Sequence, residues 1–287
     1  MESYASTFSD NESLFRGTRM GLKFAPNISL MFKELTNLPD RYEEAGRRGF
    51  RAVECQFPYD SNIEDLVRAK YSAGVEQVLI NSFQGKGHGD AGFACQPNRQ
   101  EDFKKSIELT IRYAKALNCK KVHIMAGVSQ QGVTAPEMES MYIYNLCYAA
   151  EKLQGAGIMG LIEPLCAQVR DDYFLKSYDK ALEYVKKVNS RHLRIMLDVF
   201  HLQMLHGNLS TKISQLARFV GHVQISQAPK RTEPSAPGEI DYHYVLELLN
   251  ELGYRDYIGL EYCPSGKTVD SMRFLKDWGY MPELNLE

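Results

Sequence analysis

A single closed (β/α)8 barrel is the fold this sequence predicts, and three observations predict it. A short apolar strand, a loop and then an amphipathic helix recur as one unit eight times between Leu22 and Trp278. Strands that alternate with helices form a parallel sheet with helical crossovers. Eight units within 287 residues fit a closed barrel better than an open doubly wound sheet, and no linker or change of composition divides them. No G-x-G-x-x-G opens a helix after the first strand, which counts against the open dinucleotide-binding alternative.

In chain order the predicted strands cover 22–26, 52–57, 76–81, 121–126, 159–163, 193–198, 221–226 and 257–262. The helices that follow them cover 39–46, 63–73, 99–117, 135–154, 177–188, 209–219, 241–252 and 269–278. Gly49, Gly74, Asn118, Gly157 and Gly253 fall between a helix and the next strand, where left-handed backbone closes a helix. The seventh unit is the most explicit. With period two, His222, Gln224 and Ser226 share one face of its strand, and Val223 and Ile225 share the other. A loop carrying Lys230, Arg231 and Glu233 follows; Pro237-Gly238 turns the chain, and Asp241 caps the next helix.

The whole fold is placed in residues 20–287, and the polar segment 1–19 is read as a flexible extension. That segment has no apolar signal core, and Glu2, Asp10 and Glu12 argue against a mitochondrial presequence. Hydrophobic residues make up 44% of the chain, enough for a full core. No apolar run approaches the ~18 residues a membrane span needs. With a net charge of -2 and Lys and Arg scattered over helix surfaces, the basic stripe of a nucleic-acid binder is missing. The six cysteines form no C-x-x-C pair and read as reduced, mostly buried thiols, which places the protein in the cytoplasm. Cys166 and Cys263 are read as packing residues like the rest.

In such barrels the active site lies at the carboxyl ends of the strands. Strand five ends in Glu163, strand six in Asp198 and strand eight in Glu261, while strand seven carries Gln224. Any one of these alone reads as a salt bridge or a cap, and Asp198 equally suits capping the following turn. Four consecutive strands that each deliver an oxygen ligand read instead as one site. Carboxylates so close repel each other and are costly to bury, and a divalent cation relieves both problems. Three carboxylates and an amide suit Mg2+ or Mn2+ more than zinc.

Around this group, His201 in the loop after strand six is placed to bind a substrate oxygen, or is a surface histidine. Arg231 either clamps a substrate carboxylate or is a solvated loop charge. Glu54 and Asn81 are weaker candidates for the substrate side, with Asn27 beside them. His222, one inward step below Gln224, either supports that group or is a core histidine, the reading preferred, and His123 reads as a core histidine. The glycine-rich stretch Gly85 to Gly92 reads as a flexible lid, because it lacks the lysine pattern of a phosphate loop.

At these residues the chain resembles the hydroxypyruvate isomerase family, within the xylose-isomerase-like barrels that also include sugar epimerases. The likeness runs from about Lys23 to Trp278. It is carried by Phe24-Ala-Pro-Asn-Ile-Ser29, Leu79-Ile-Asn81, Arg112-Tyr-Ala-Lys-Ala-Leu117, His123-Ile-Met-Ala-Gly127, Glu163-Pro164, Asp198-x-Phe-His201, Gly221-His-Val-Gln224, Arg231-Thr-Glu-Pro234, Pro237-Gly-Glu239 and Glu261-Tyr262. The resemblance implies interconversion of hydroxypyruvate and 2-hydroxy-3-oxopropanoate, with Glu163 and Glu261 as the acid and base. It implies a cation held by Glu163, Asp198, Gln224 and Glu261, and His201 and Arg231 facing the substrate. Gln224 stands where epimerases have histidine, and Cys166 where relatives often have the asparagine of Glu-Pro-x-Asn.

An aldose–ketose shift through an enediolate needs an acid, a base and positive charge near the oxyanion. It needs no nucleotide cofactor. The partner is therefore a small keto or hydroxy acid, with no nucleic acid and no membrane; a homo-oligomer is left open. A sugar epimerase or an inosose-type dehydratase on the same scaffold is the near alternative. A zinc endonuclease would need several strand-end histidines and a basic groove. A non-catalytic scaffold would have lost the carboxylates.

Overall fold

The computed structural model of the protein describes residues 21–87 and 89–287. The expected extension over 1–19, together with Met20, lies outside them. The strands are β1 (Lys23–Pro26), β2 (Ala52–Cys55), β3 (Glu76–Asn81), β4 (Lys121–His123), β5 (Met159–Ile162), β6 (Leu193–Asp198), β7 (Val220–Ile225) and β8 (Tyr257–Leu260). They form one sheet in the order β1-β8-β7-β6-β5-β4-β3-β2, with every paired register parallel. The two end strands meet where the chain just past β1 reaches the carboxyl end of β2. Asn27 bridges Glu54 in parallel, and the Ile28 N–H donates to the Glu54 carbonyl at 2.9 Å. The sheet is thus a barrel, as the alternating pattern predicts.

The outer helices are α1 (Leu38–Arg47), α2 (Ile63–Ala73), α3 (Gln100–Ala116), α4 (Ala135–Gly155), α5 (Tyr178–Val188), α6 (Val199–Leu205), α7 (Leu209–Leu216), α8 (Tyr242–Glu251), α9 (Thr268–Ser271) and α10 (Arg273–Asp277). Local chemistry sets their ends. Asn62, Thr134, Ser177 and Asp241 each accept a backbone N–H at an N-cap, and Thr134 forms a full capping box with Glu137. Gly74 (φ 65°) and Asn118 (φ 53°) turn left-handed beyond their helices, as expected of helix stops. The main core lies between sheet and helices. A smaller cluster of Ala25, Ala52, Val78, Leu79, Leu161 and Met196 packs separately from it. Among the described residues no helix is long and apolar enough to cross a membrane. All six cysteines are free.

Three local differences bear on the site. The predicted strands at 52–57, 121–126 and 257–262 stop two to three residues early, which leaves Gln56 and Glu261 on the loops past β2 and β8. The stretch after β6 is a helix, α6, and not the expected loop. Asp198 caps it by accepting the Phe200 N–H at 2.8 Å, and Val199, Phe200 and Leu202 are buried. The glycine-rich segment read as a lid is tied down at several points. Asp90 accepts the Gly87 N–H at 2.8 Å and pairs with Arg99 at 3.1 Å, and Arg170 donates to the Gly89 carbonyl.

Candidate active site

Register sets the polar ends of β6 and β7 side by side. Asp198 pairs with Gln224, and Gln224 with Gly259, two residues before Glu261. Glu163 follows β5 directly and Glu261 follows β8 directly. Glu163, Asp198, Gln224 and Glu261 are all buried, none more than 4% exposed. Arg231, on the loop after β7, reaches back over them. Its Nη2 lies 2.7 Å from Glu261 Oε2 and 3.5 Å from Asp198 Oδ2. The other oxygen of Glu261 accepts from Gln56 Nε2 at 2.8 Å and Asn27 Nδ2 at 3.4 Å.

His201 enters from the first turn of α6. Its Nε2 is 3.7 Å from Asp198 Oδ2 and 4.0 Å from Glu163 Oε1. The Cys166 N–H donates to its Nδ1 at 3.0 Å. With Nδ1 accepting, the neutral ring carries its proton on Nε2 and turns a donor toward the two carboxylates. Burial first, then the nearby Arg231 charge, lowers the His201 pKa well below the ordinary value and keeps the ring neutral. Glu163, Asp198 and His201 form a cluster whose ligand atoms lie within 4.8 Å of one another.

The electrostatics favour a cation. Burial, then Glu261 and Asp198 as like charges, push the Glu163 pKa well above the carboxylate range. Burial raises Asp198 to about 7, against the pull of Arg231. Burial also raises Glu261, with Arg231 again opposing. Three buried carboxylates thus face one guanidinium. Glu163 Oε1, Asp198 Oδ2 and Gln224 Oε1 are buried with no hydrogen-bond partner among the described residues. This oxygen-rich donor set fits a hard divalent cation.

A pH dependence follows. A carboxyl group whose pKa is raised on folding binds protons more tightly folded than unfolded. Between the unfolded Asp pKa near ~4 and the folded value of about 7 for Asp198, the unfolded chain therefore holds fewer protons. Below the unfolded His pKa near ~6.5 the buried neutral His201 acts in the opposite sense, so without added cation the melting temperature is expected to fall as pH rises from about 6.5 to about 8. Mn2+ should raise it more at pH 8 than at pH 5. Thermal unfolding with and without Mn2+ checks this, and a melting temperature that rises with pH over that range in metal-free protein would contradict it.

The structure gathers Glu163, Asp198, Gln224, Glu261, His201 and Arg231 at one place. It sets Glu54 apart from the opening. Glu54 is fully buried within the barrel, where its carboxylate meets His222, Gln224 and Asn27. Asn81 is buried at the end of β3 opposite His123, and its carbonyl takes the Tyr59 hydroxyl at 2.5 Å. Among the described residues no hydrogen bond joins its side chain to the carboxylates. Gln56, Lys121 and Asp256 are absent from the sequence reading. Gln56 could have been found as the next polar residue after Glu54 in an otherwise apolar stretch. Nothing local marks the other two.

A closed barrel with carboxylates, an arginine and a neutral histidine at its mouth defines an acid-lined (β/α)8 enzyme scaffold. Residues 42–278 match the family model described as xylose isomerase-like TIM barrel. The chain is 38% identical over 257 residues to the 2-oxo-tetronate isomerase of Haemophilus influenzae, covering 89% of this chain and 97% of that one. It is 35% identical over 255 residues to the hydroxypyruvate isomerase of Escherichia coli, covering 88% and 98%. A Brucella melitensis crystal structure described as AP endonuclease, family 2, superposes with a TM-score of 0.86 at 34% identity, covering 90% and 99%. The chain belongs to the xylose isomerase-like TIM-barrel family and, within it, to the hydroxypyruvate isomerase family.

Proposed function

We propose that the protein interconverts hydroxypyruvate and 2-hydroxy-3-oxopropanoate. The observation that carries this reading is the gathering of Glu163 and Glu261 around Asp198: His201 Nε2 lies 4.0 Å from Glu163 Oε1 and 3.7 Å from Asp198 Oδ2, and Arg231 Nη2 lies 3.5 Å from Asp198 Oδ2 and 2.7 Å from Glu261 Oε2. Two carboxyl groups so placed can serve adjacent carbons of a small substrate.

Arg231 and Gln56 favour the charged form of Glu261, which suits it to take the proton from C3 of hydroxypyruvate. The C3–H electron pair moves into the C2–C3 bond, and the C2 carbonyl becomes the oxyanion of an enediolate. Glu163, carrying a proton on the oxygen not left for the cation, returns that proton to C2. The hydroxyl proton on the C3 oxygen passes to the C2 oxygen, so the aldehyde forms with no net gain or loss of hydrogen, and Glu261 then releases its proton to solvent while Glu163 takes one up before the next turnover. The Nε2–H of His201 faces the carboxylate group and can hold the oxygen that bears the developing charge. Arg231 Nε is buried without a hydrogen-bond partner among the described residues, which leaves a donor for the substrate carboxylate. That free donor favours a keto acid over a neutral sugar.

Glu163, Asp198 and Gln224 would hold a divalent cation through their unpartnered oxygens, and Glu261 through remaining lone pairs. A cation held there would supply positive charge to offset a developing oxyanion. The structural relative described as an endonuclease raises a second reading. Among the described residues, however, the candidate cation cluster contains a single histidine, not the several-histidine set a zinc endonuclease requires.

The test is a direct assay of hydroxypyruvate conversion by the purified protein. A chelator is expected to lower turnover at least ~10-fold, with Mn2+ or Mg2+ restoring it. A salt-sensitive shift of abasic DNA without any isomerase activity would overturn the proposal. Comparing hydroxypyruvate with 2-oxo-tetronate, one carbon longer, separates the two activities named among the relatives.

A further inference from the structure

The hydrogen bonds beneath the carboxylates have a direction, and it begins at the opposite end of the barrel. Asp256, half exposed just before β8, pairs with Lys121 Nζ at 2.5 Å at the start of β4. Lys121 Nζ also lies 3.2 Å from His222 Nδ1. An ammonium has donors and no acceptor, so Nδ1 must supply the lone pair. The ring is then neutral, with its one proton on Nε2. That nitrogen meets Glu54 Oε1 in a short hydrogen bond. The ring's one proton is therefore donated from Nε2 to Glu54 Oε1, Glu54 is the accepting carboxylate, and its Oε2 remains an acceptor.

Glu54 Oε2 takes Gln224 Nε2 at 2.8 Å and Asn27 Nδ2 at 3.3 Å. Asn27 Nδ2 also reaches Glu261 Oε1. Gln224 thus turns its amide nitrogen down to Glu54, and its oxygen is the atom left buried without a partner. The barrel makes room for this arrangement. A Cβ on Gly259 would collide with the Glu54 carboxyl group, so β8 carries glycine where Glu54 crosses from β2. Glu54, His222 and Lys121 are all buried, Lys121 being the most exposed at 9%.

We infer that Lys121, His222 and Glu54 are positioning residues that fix which way the Gln224 amide faces, so that its oxygen and not its NH2 group meets a divalent cation. An amide turned over would present hydrogens to the cation. A carboxylate would need no such orientation, because its two ends are alike; an amide does. The inference rests on the reading of Gln224 as a cation ligand. It moves Glu54 from the substrate side to a role beneath the site.

The experiment uses the full-length protein and Mn2+ alone. Imidazole 15N NMR of the metal-free wild type is expected to show His222 with a protonated Nε2 and an acceptor Nδ1. Lys121→Met should mix or reverse that tautomer and weaken Mn2+ binding about 10- to 100-fold, as loss of an outer partner of a metal ligand does. Lys121→Arg, which keeps a donor-only cation, should restore part of the affinity. Glu54→Gln, which can donate to the Gln224 oxygen, should weaken Mn2+ binding to a similar extent. A wild-type His222 protonated on Nδ1 would overturn the inference without any variant. So would unchanged Mn2+ affinity in Lys121→Met and Glu54→Gln when Gln224→Ala weakens it. If Gln224→Ala binds Mn2+ like the wild type, the ligand reading of Gln224 is what fails, and this inference falls with it.

Discussion

Glu163→Gln is expected to lower kcat for hydroxypyruvate by about 10^2- to 10^4-fold, the range that general acid–base groups supply. The amide keeps the size and most of the packing of the carboxyl group but cannot hand over a proton. The protein should fold at least as well as the wild type. Glu163 is buried beside Asp198 and Glu261, and both charges disfavour its ionised form. Replacing it with a neutral group removes that repulsion. A lower kcat together with an equal or higher melting temperature is therefore the signature of an acid–base role. A drop in both would mark a structural one. Glu261→Gln should lower kcat similarly, but it also loses the 2.7 Å pair with Arg231, so its melting temperature should not rise. Turnover that survives both substitutions would end the proposed chemistry.

Arg231→Met is expected to carry the largest stability cost. The side chain is 19% exposed, and its guanidinium is the positive charge that Glu261 and Asp198 meet at 2.7 and 3.5 Å. Removing one partner of a buried pair leaves the other charge uncompensated, which costs about 3–5 kcal/mol. Against a typical domain stability of about 5–15 kcal/mol this is severe. Denaturant unfolding measures it, and Mn2+ should return part of the loss by supplying charge beside the same carboxylates. If the guanidinium also receives the substrate carboxylate, KM rises sharply in protein that remains folded. Arg231→Lys should recover more of the stability than of the KM, because lysine keeps the charge but not the planar fork. Unfolding and KM both indistinguishable from wild type would leave Arg231 as the solvated loop charge that the sequence also allows.

The barrel was legible because its signal is repeated. Eight apolar strand segments, each followed by a helical period and several closed by glycine or asparagine, point to one fold, and the ends of β3 and β6 fall where that pattern places them. The same logic exposed Glu163, Asp198 and Glu261, since a carboxylate at the end of an apolar strand is conspicuous in any linear reading. His201 was legible as a candidate but not as a helical residue. The helix that carries it starts on Asp198 itself, and a residue that is both strand end and N-cap shows only one of its roles in a string of letters.

By itself the sequence determined the architecture, the acid-rich mouth and the residue types available for proton transfer, because strand and helix periodicity are local and repeat along the chain. The tertiary structure alone decided what each polar group faces. Glu54 reads like Glu163, a carboxylate in an apolar strand, yet barrel closure turns it onto His222 and Gln224, 168 and 170 residues away. Lys121 and Asp256 look like surface charges until β4 and β8 enter one barrel and bring them to 2.5 Å. Hydrogen-bond direction depends on which donor meets which acceptor across the barrel, and separation along the chain carries no record of that.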